Sequence, residues 1–241
     1  LGRELQRALD HTARGGNGLS GLLLHRRLLT AAAMKRLLLF LTLALLPVPA
    51  QTTRELAEQA RKHAPADDSV ASKLIHAALD RTHQVVRYEP AYVKLDYPGG
   101  DVPADTGVCT DEVIRSYRKL GFDLQKLVHE DMKRHFAHYP RHWGLSSPDK
   151  NIDHRRVPNL QMFFKRQGAS LPVTQNGFDY LPGDLITCTV AGKLPHIALV
   201  VPAPDGGSTP WIVHNIGQGP QCENRLFEFP LTGHYRWHPK R

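Results

Sequence analysis

Pro182-Gly183-Asp184-Leu185-Ile186-Thr187-Cys188-Thr189-Val190 is the point at which the chain changes its period. Upstream, apolar residues recur every three or four positions, as on one face of a helix. Downstream they come in short β-rich runs set apart by turn residues. Leu185 to Val190, Ile197 to Val201, Trp211 to His214 and Leu226 to Phe229 read as four strands of an antiparallel meander. Pro202 to Pro210, with Gly206-Gly207 inside it, reads as an exposed hairpin loop. On the upstream side, Val70, Leu74, Ile75, Ala78 and Leu79 form a stripe that predicts a helix within Ser69 to His83. Val113, Ile114, Tyr117 and Leu120 do the same for Thr110 to Leu120, with Gly121 as its cap. Further helices are expected around Leu124 to His138 and Val157 to Gln167. Tyr88-Glu89-Pro90 and Tyr97 to Pro103 are rich in proline and glycine and predict extended, turn-filled chain. Helices first and strands afterwards give an α+β domain, N-terminal helices packed on a C-terminal antiparallel β-sheet.

The N-terminal residues have a different composition. Met34-Lys35-Arg36 precedes the apolar run Leu37 to Leu46, and Pro47-Val48-Pro49-Ala50 follows. A basic start, a short apolar middle and a small-residue end make a secretory signal over residues 34–50, cleaved near Ala50. The run is shorter than the roughly 20 residues a membrane-spanning helix needs, so no permanent membrane anchor is expected. Residues 1–33 read as an upstream extension without function, and residues 51–241 as a single domain. The expected location is periplasmic or secreted.

Charge supports no nucleic-acid role. The formal net charge is +8. The first 50 residues contribute +5 of it, through Arg3, Arg7, Arg14, Arg26, Arg27, Lys35 and Arg36 against Glu4 and Asp10. What remains is a mild excess, without the concentrated basic stripe of a nucleic-acid binder. An anionic wall polymer is compatible with it. Three cysteines, Cys109, Cys188 and Cys222, leave one thiol over if two pair. A Cys188–Cys222 bridge would leave Cys109 free; two inert buried thiols are the other reading.

Cys109 lies at the start of the Thr110 to Leu120 helix. A helix N-terminus presents unpaired N–H groups and a positive dipole end, which favour a thiolate. His196, in Leu194-Pro195-His196-Ile197-Ala198-Leu199-Val200, stands at the mouth of an otherwise apolar strand and is the candidate base. A third polar group must orient its ring; His214, ending the neighbouring strand, is the first choice and Asn215 the alternative. Such a site calls for no cofactor and no metal.

The order of these pieces resembles the NlpC-type branch of the papain-like cysteine peptidases. The carrying residues are Cys109 opening a helix, Tyr180 to Ile186 leading into a strand, His196 in His-Ile-Ala-Leu-Val, and Val213-His214 closing the next strand. The resemblance implies a papain-like fold, with Cys109 as nucleophile, His196 as base and His214 as orienting residue. It also implies a substrate among peptidoglycan stem peptides or related amides. Two departures stand out: Val108 precedes the cysteine where an acid is common, and the Cys109 to Pro182 stretch is long. The chain also resembles the bacterial domain-of-unknown-function family 1287, through Leu95 to Pro103, Asn151 to Leu160 and Val213-His214-Asn215-Ile216-Gly217.

Asp153-His154-Arg155-Arg156 concentrates charge just before a helix. Two arginines can grip a carboxylate or phosphate in bidentate fashion, which makes the four residues substrate-binding candidates. Ion pairing with Asp149 or Asp153 to fix the loop is the competing reading. His129, His135, His138 and His142 lack the spacing of a metal motif and read as a solvated face. Asp96, Asp101 and Asp105 read as turn residues.

Overall fold

A computed structural model describes residues 50–239. The upstream extension and nearly all of the expected signal segment lie outside the described residues. Five helices come first: α1 (Thr53–Lys62), α2 (Val70–Arg81), α3 (Cys109–Lys119), α4 (Leu124–His135) and α5 (Val157–Arg166). Two short strands, β1 (Arg87–Tyr88) and β2 (Thr106–Gly107), pair in parallel between α2 and α3. The sheet follows: β3 (Ser170–Leu171), β4 (Leu185–Val190), β5 (Leu194–Val201), β6 (Trp211–His214), β7 (Gln221–Glu223) and β8 (Leu231–Tyr235). Its order is β3-β8-β4-β5-β6-β7, with every pairing antiparallel. The chain is therefore mixed α+β, as its patterning predicts. No described helix is long and apolar enough to cross a membrane.

Alternation sorts the two faces of the sheet. Leu185, Ile197, Leu199, Val201, Val213 and Cys222 join Val113 and Tyr117 of α3 and Leu74 and Leu79 of α2 in the main core. Ile186, Ala198, Val200 and Ile212 face the other way and pack with Tyr180 and Leu226 in a second, smaller core. The turn before β4 is fixed by Asp184. Its carboxylate accepts from the Leu181 N–H, from His234 Nε2 at 2.7 Å and from Arg236 Nε at 2.7 Å. Gly183 makes the turn possible, at φ +96 with Ala71 3.1 Å from where a Cβ would sit.

One expectation is corrected, one helix is added, and one of two open readings is decided. Leu226 to Phe229 is not a strand; Arg225 ion-pairs Glu228 and the Glu228 N–H bonds back to the Arg225 carbonyl, folding the segment into a turn. The sheet instead gains β3, β7 and β8. The lead-in before Ser69 contains α1, opened by a capping box: Thr52 Oγ1 accepts from the Glu55 N–H and Glu55 Oε2 from the Thr52 N–H. All three cysteines are free. Cys188 and Cys222 sit on β4 and β7, three strand spacings or roughly 14 Å apart, beyond disulfide reach.

Candidate functional site

Cys109 is the first residue of α3, which begins one residue earlier than its apolar stripe predicts. Val108 precedes it in extended conformation and has no side-chain oxygen to cap the helix. The cap is completed from the other end, as Asp111 Oδ2 accepts from the Val108 N–H at 2.7 Å. Asp111 is itself buried, and Arg155 meets it with a two-bond fork, Nε to Oδ1 and Nη2 to Oδ2, both 2.9 Å. The Arg155 carbonyl accepts from Thr110 Oγ1, so one residue holds the head of α3 by side chain and backbone together.

Cys109 is enclosed, the residue being 5 % exposed. The backbone N–H groups of Ile197 and Thr110 lie near enough to the sulfur to favour its charged form. Register explains why Ile197 is available. The Val200 N–H bonds to the Asp184 carbonyl on the β4 side, so odd-numbered N–H groups of β5 point the opposite way, toward β6. Pairing between β5 and β6 runs only from Leu199 to Val201. Ile197 lies past the end of β6, and Cys109 occupies the notch. The thiol is thereby brought to the residue that follows His196.

His196 is buried and continues the smaller-core face of β5, whereas Cys109 belongs to the main core. Among the described residues no hydrogen bond joins the two side chains, which approach through the backbone of Ile197. His196 Nε2 lies 2.8 Å from His214 Nδ1, and His214 Nε2 lies 2.6 Å from Glu223 Oε2. These distances order the protons when both rings are neutral. The carboxylate only accepts, so His214 donates from Nε2. His214 Nδ1 then accepts from His196 Nε2–H, which leaves the lone pair of His196 on Nδ1. His214, the first choice, is the residue bonded to the His196 ring. Asn215 is not: its Oδ1 accepts from the Gly217 N–H, and its buried Nδ2 has no partner.

Burial governs protonation. It pushes the Cys109 thiol up to about 12, against the lowering influence of the Ile197 N–H, and the charge of Asp111 pushes the same way as burial. It holds His196 down to about 3; a proton on His214 would push the same way, as does the charge of Arg225. The expectation that the helix terminus yields a resting thiolate is thus reversed: thiol and imidazole are both neutral. Glu223 is held below the usual carboxylate range by its bond to His214 and by Arg225.

A pocket of about 230 Å³ opens at Cys109, walled by Tyr88, Trp143, Arg155, Arg156, Pro158 and Pro195 among others. Tyr88 reaches it because β1 pairs with β2 in the register Tyr88 to Gly107, two residues from Cys109. Burial, and then the charges of Cys109 and Asp111, push its hydroxyl up to about 12.

The four residues Asp153 to Arg156 divide. Asp153 serves the loop, accepting from the Asp149 N–H and from Arg156 Nη1. His154 is buried, is held down to about 3 chiefly by burial, and leaves Nδ1 without a partner. Arg155 is committed to Asp111 and to the carbonyls of Ala91 and Glu89. Only Arg156 remains open at the pocket, its guanidinium 4.0 Å over the Trp143 ring. Asp101 is an ion-pair partner of Arg115 and Arg118.

Glu223 and Tyr88 were not among the expected site residues. The alternation of Gln221-Cys222-Glu223 was a signal for the first; a two-residue ladder left none for the second.

Comparison with known proteins agrees with the stretches that suggested a family. The chain is 50% identical over 153 residues to the "Uncharacterized protein YijF" of Escherichia coli (strain K12), covering 64% of this chain and 75% of that one. No solved structure matches. Residues 75–237 match the family described as "Domain of unknown function (DUF1287)", and the chain belongs to that family.

Proposed function

We propose that this protein is an exported cysteine hydrolase of NlpC-type, papain-like design that cleaves a peptide or amide bond, with peptidoglycan stem peptides as substrate. One observation carries the reading: the chain His196–His214–Glu223 leaves Nδ1 of His196 as a base, on the residue next to the Ile197 N–H that lies by the Cys109 sulfur. A structural cysteine has no use for an oriented pair of imidazoles ending in a carboxylate.

In this reading, His196 Nδ1 takes the Cys109 proton as sulfur adds to the amide carbonyl. Starting from a neutral pair, the charge appears only when the oxyanion does. The free N–H of Cys109 and the Tyr88 hydroxyl are the donors available to that anion, each worth about 3 kcal/mol in comparable sites. His196 then gives its proton to the leaving amine as the C–N bond breaks, forming the thioester. Water, deprotonated by His196, releases the carboxylic acid and restores the thiol. The imidazolium formed in between is balanced by Glu223 through His214.

Incubation of purified protein and its Cys109→Ala variant with peptidoglycan, followed by mass spectrometry of soluble fragments, tests this. Fragments from the parent alone are expected. Equal release from both removes Cys109 as nucleophile, and no release from either favours a noncatalytic binding module, whose enclosed thiol would fit the high Cys109 pKa. Acyl transfer to an amine would show as amine-capped products.

A further inference from the structure

The pocket beside Cys109 has an unbalanced lining. Two arginines face it and, among the described residues that wall it, there is no Asp or Glu. Two helices also begin at its wall, α3 at Cys109 and α5 at Val157-Pro158. Helix N-termini favour anions. The two arginines differ in what they have left to give. Arg155 already grips a carboxylate, that of Asp111, through its Nε–Nη2 edge. Arg156 is tied by Nη1 to Asp153 Oδ1 at 2.9 Å and stacked on Trp143. Its own Nε–Nη2 edge has no partner among the described residues, yet it is not among the buried unsatisfied groups, so solvent reaches it.

We infer that Arg156 is a carboxylate-binding residue of this pocket, its Nε–Nη2 edge forming with a substrate carboxylate the same two-bond fork that Arg155 forms with Asp111. The ring of Trp143 and the bond to Asp153 fix the guanidinium beforehand, so little side-chain freedom is lost on binding. The substrate class is therefore an amide that carries a free carboxyl group near the bond to be cut. This deepens the reading of Cys109 as nucleophile and rests on it for the position of that bond, but the binding step stands apart from turnover.

The test separates the two. Muropeptides from a lysozyme digest are prepared native and with their free carboxyl groups converted to carboxamides. Binding to Cys109→Ala is followed by calorimetry, with turnover by the parent assayed in parallel. Native muropeptides are expected to bind at least tenfold tighter than the amidated set. Arg156→Gln, added to Cys109→Ala, should erase that preference, and Arg156→Lys should restore only part of it, because an ammonium keeps the charge without the fork. Equal binding of native and amidated ligand, no binding of either, or a preference that survives Arg156→Gln overturns the inference. Trp143→Leu guards against misfolding of the arginine variants: it keeps the charge, loosens the stack, and should weaken native binding more than amidated binding. Carboxylate-selective binding without turnover would leave this inference standing and defeat the hydrolase reading. Turnover indifferent to amidation would do the reverse.

Discussion

Glu223 ends the chain of hydrogen bonds that begins at His196, and its contribution can be isolated because it stands two rings away from the sulfur. Glu223→Gln keeps an oxygen able to accept from His214 Nε2 but removes the charge that balances the imidazolium. If the hydrolase reading holds, kcat should fall roughly ten- to a hundredfold with KM little changed, well short of the roughly 10⁴-fold loss when a triad acid directly orients the base. With the imidazolium less stable, the acid limb of the kcat/KM profile should move to lower pH. The neutral resting pair gives a second measurement. Iodoacetamide should alkylate Cys109 slowly at pH 7 and faster as pH rises toward the thiol's value of about 12. Rapid alkylation that is flat between pH 6 and 8 would show a resting ion pair and overturn the assignment. At this scale the sequence was partly legible. Cys109, His196 and His214 could be named because each ends a strong local pattern. Glu223 lies on a three-residue strand whose membership depends on distant pairing, and the protonation of Cys109 depends on burial, which the helix terminus alone does not report.

Among the elements, the β4 turn shows how a buried charge holds two strands in place. Asp184 joins β4 to His234 on β8 and to Arg236 just beyond it, and its carboxyl is kept below the usual range by those bonds despite burial. A depressed carboxylate stabilises the fold at pH values above its unfolded value of about 4, and that stabilisation is lost as pH falls through the folded value. Asp184→Asn should therefore cost roughly 3 kcal/mol at pH 7 by urea denaturation, since it leaves Arg236 and a buried His234 without their anion. The difference between variant and parent should shrink in acid; a constant difference would show that shape, not charge, matters there. Helices and the central strands were readable from periodicity because each is long enough to show it. Strands β3 and β7 have two and three residues and exist only because β8 and β6 offer edges. Helix α1 carried a readable signature in Thr52 and Glu55, but its few apolar residues, Ala57 and Ala60 among them, hid the stripe.

Across the whole molecule, acid should act through enclosed imidazoles. His154 and His196 are both held down to about 3 by burial, while the unfolded chain takes up their protons near 6.5. The unfolded state thus binds more protons between those values, and stability falls with pH by about 1.4 kcal/mol per pH unit for each ring. Melting temperature should drop steadily from pH 7 to pH 4, and His154→Gln should flatten the slope; an unchanged slope would place the sensitivity elsewhere. The family match begins at residue 75, within α2, so α1 lies outside it. Yet Thr53 Oγ1 accepts from the Cys222 N–H at 2.7 Å, bracing the strand that bears Glu223. The early end of β6 also has a consequence. If Asn215 straightened and zipped one more rung onto its neighbour, a peptide carbonyl would claim the Ile197 N–H and evict the sulfur from its seat. Lengthening a ladder ordinarily strengthens a sheet; here it would displace the thiol, so on the hydrolase reading the proposed chemistry depends on a strand that stops short.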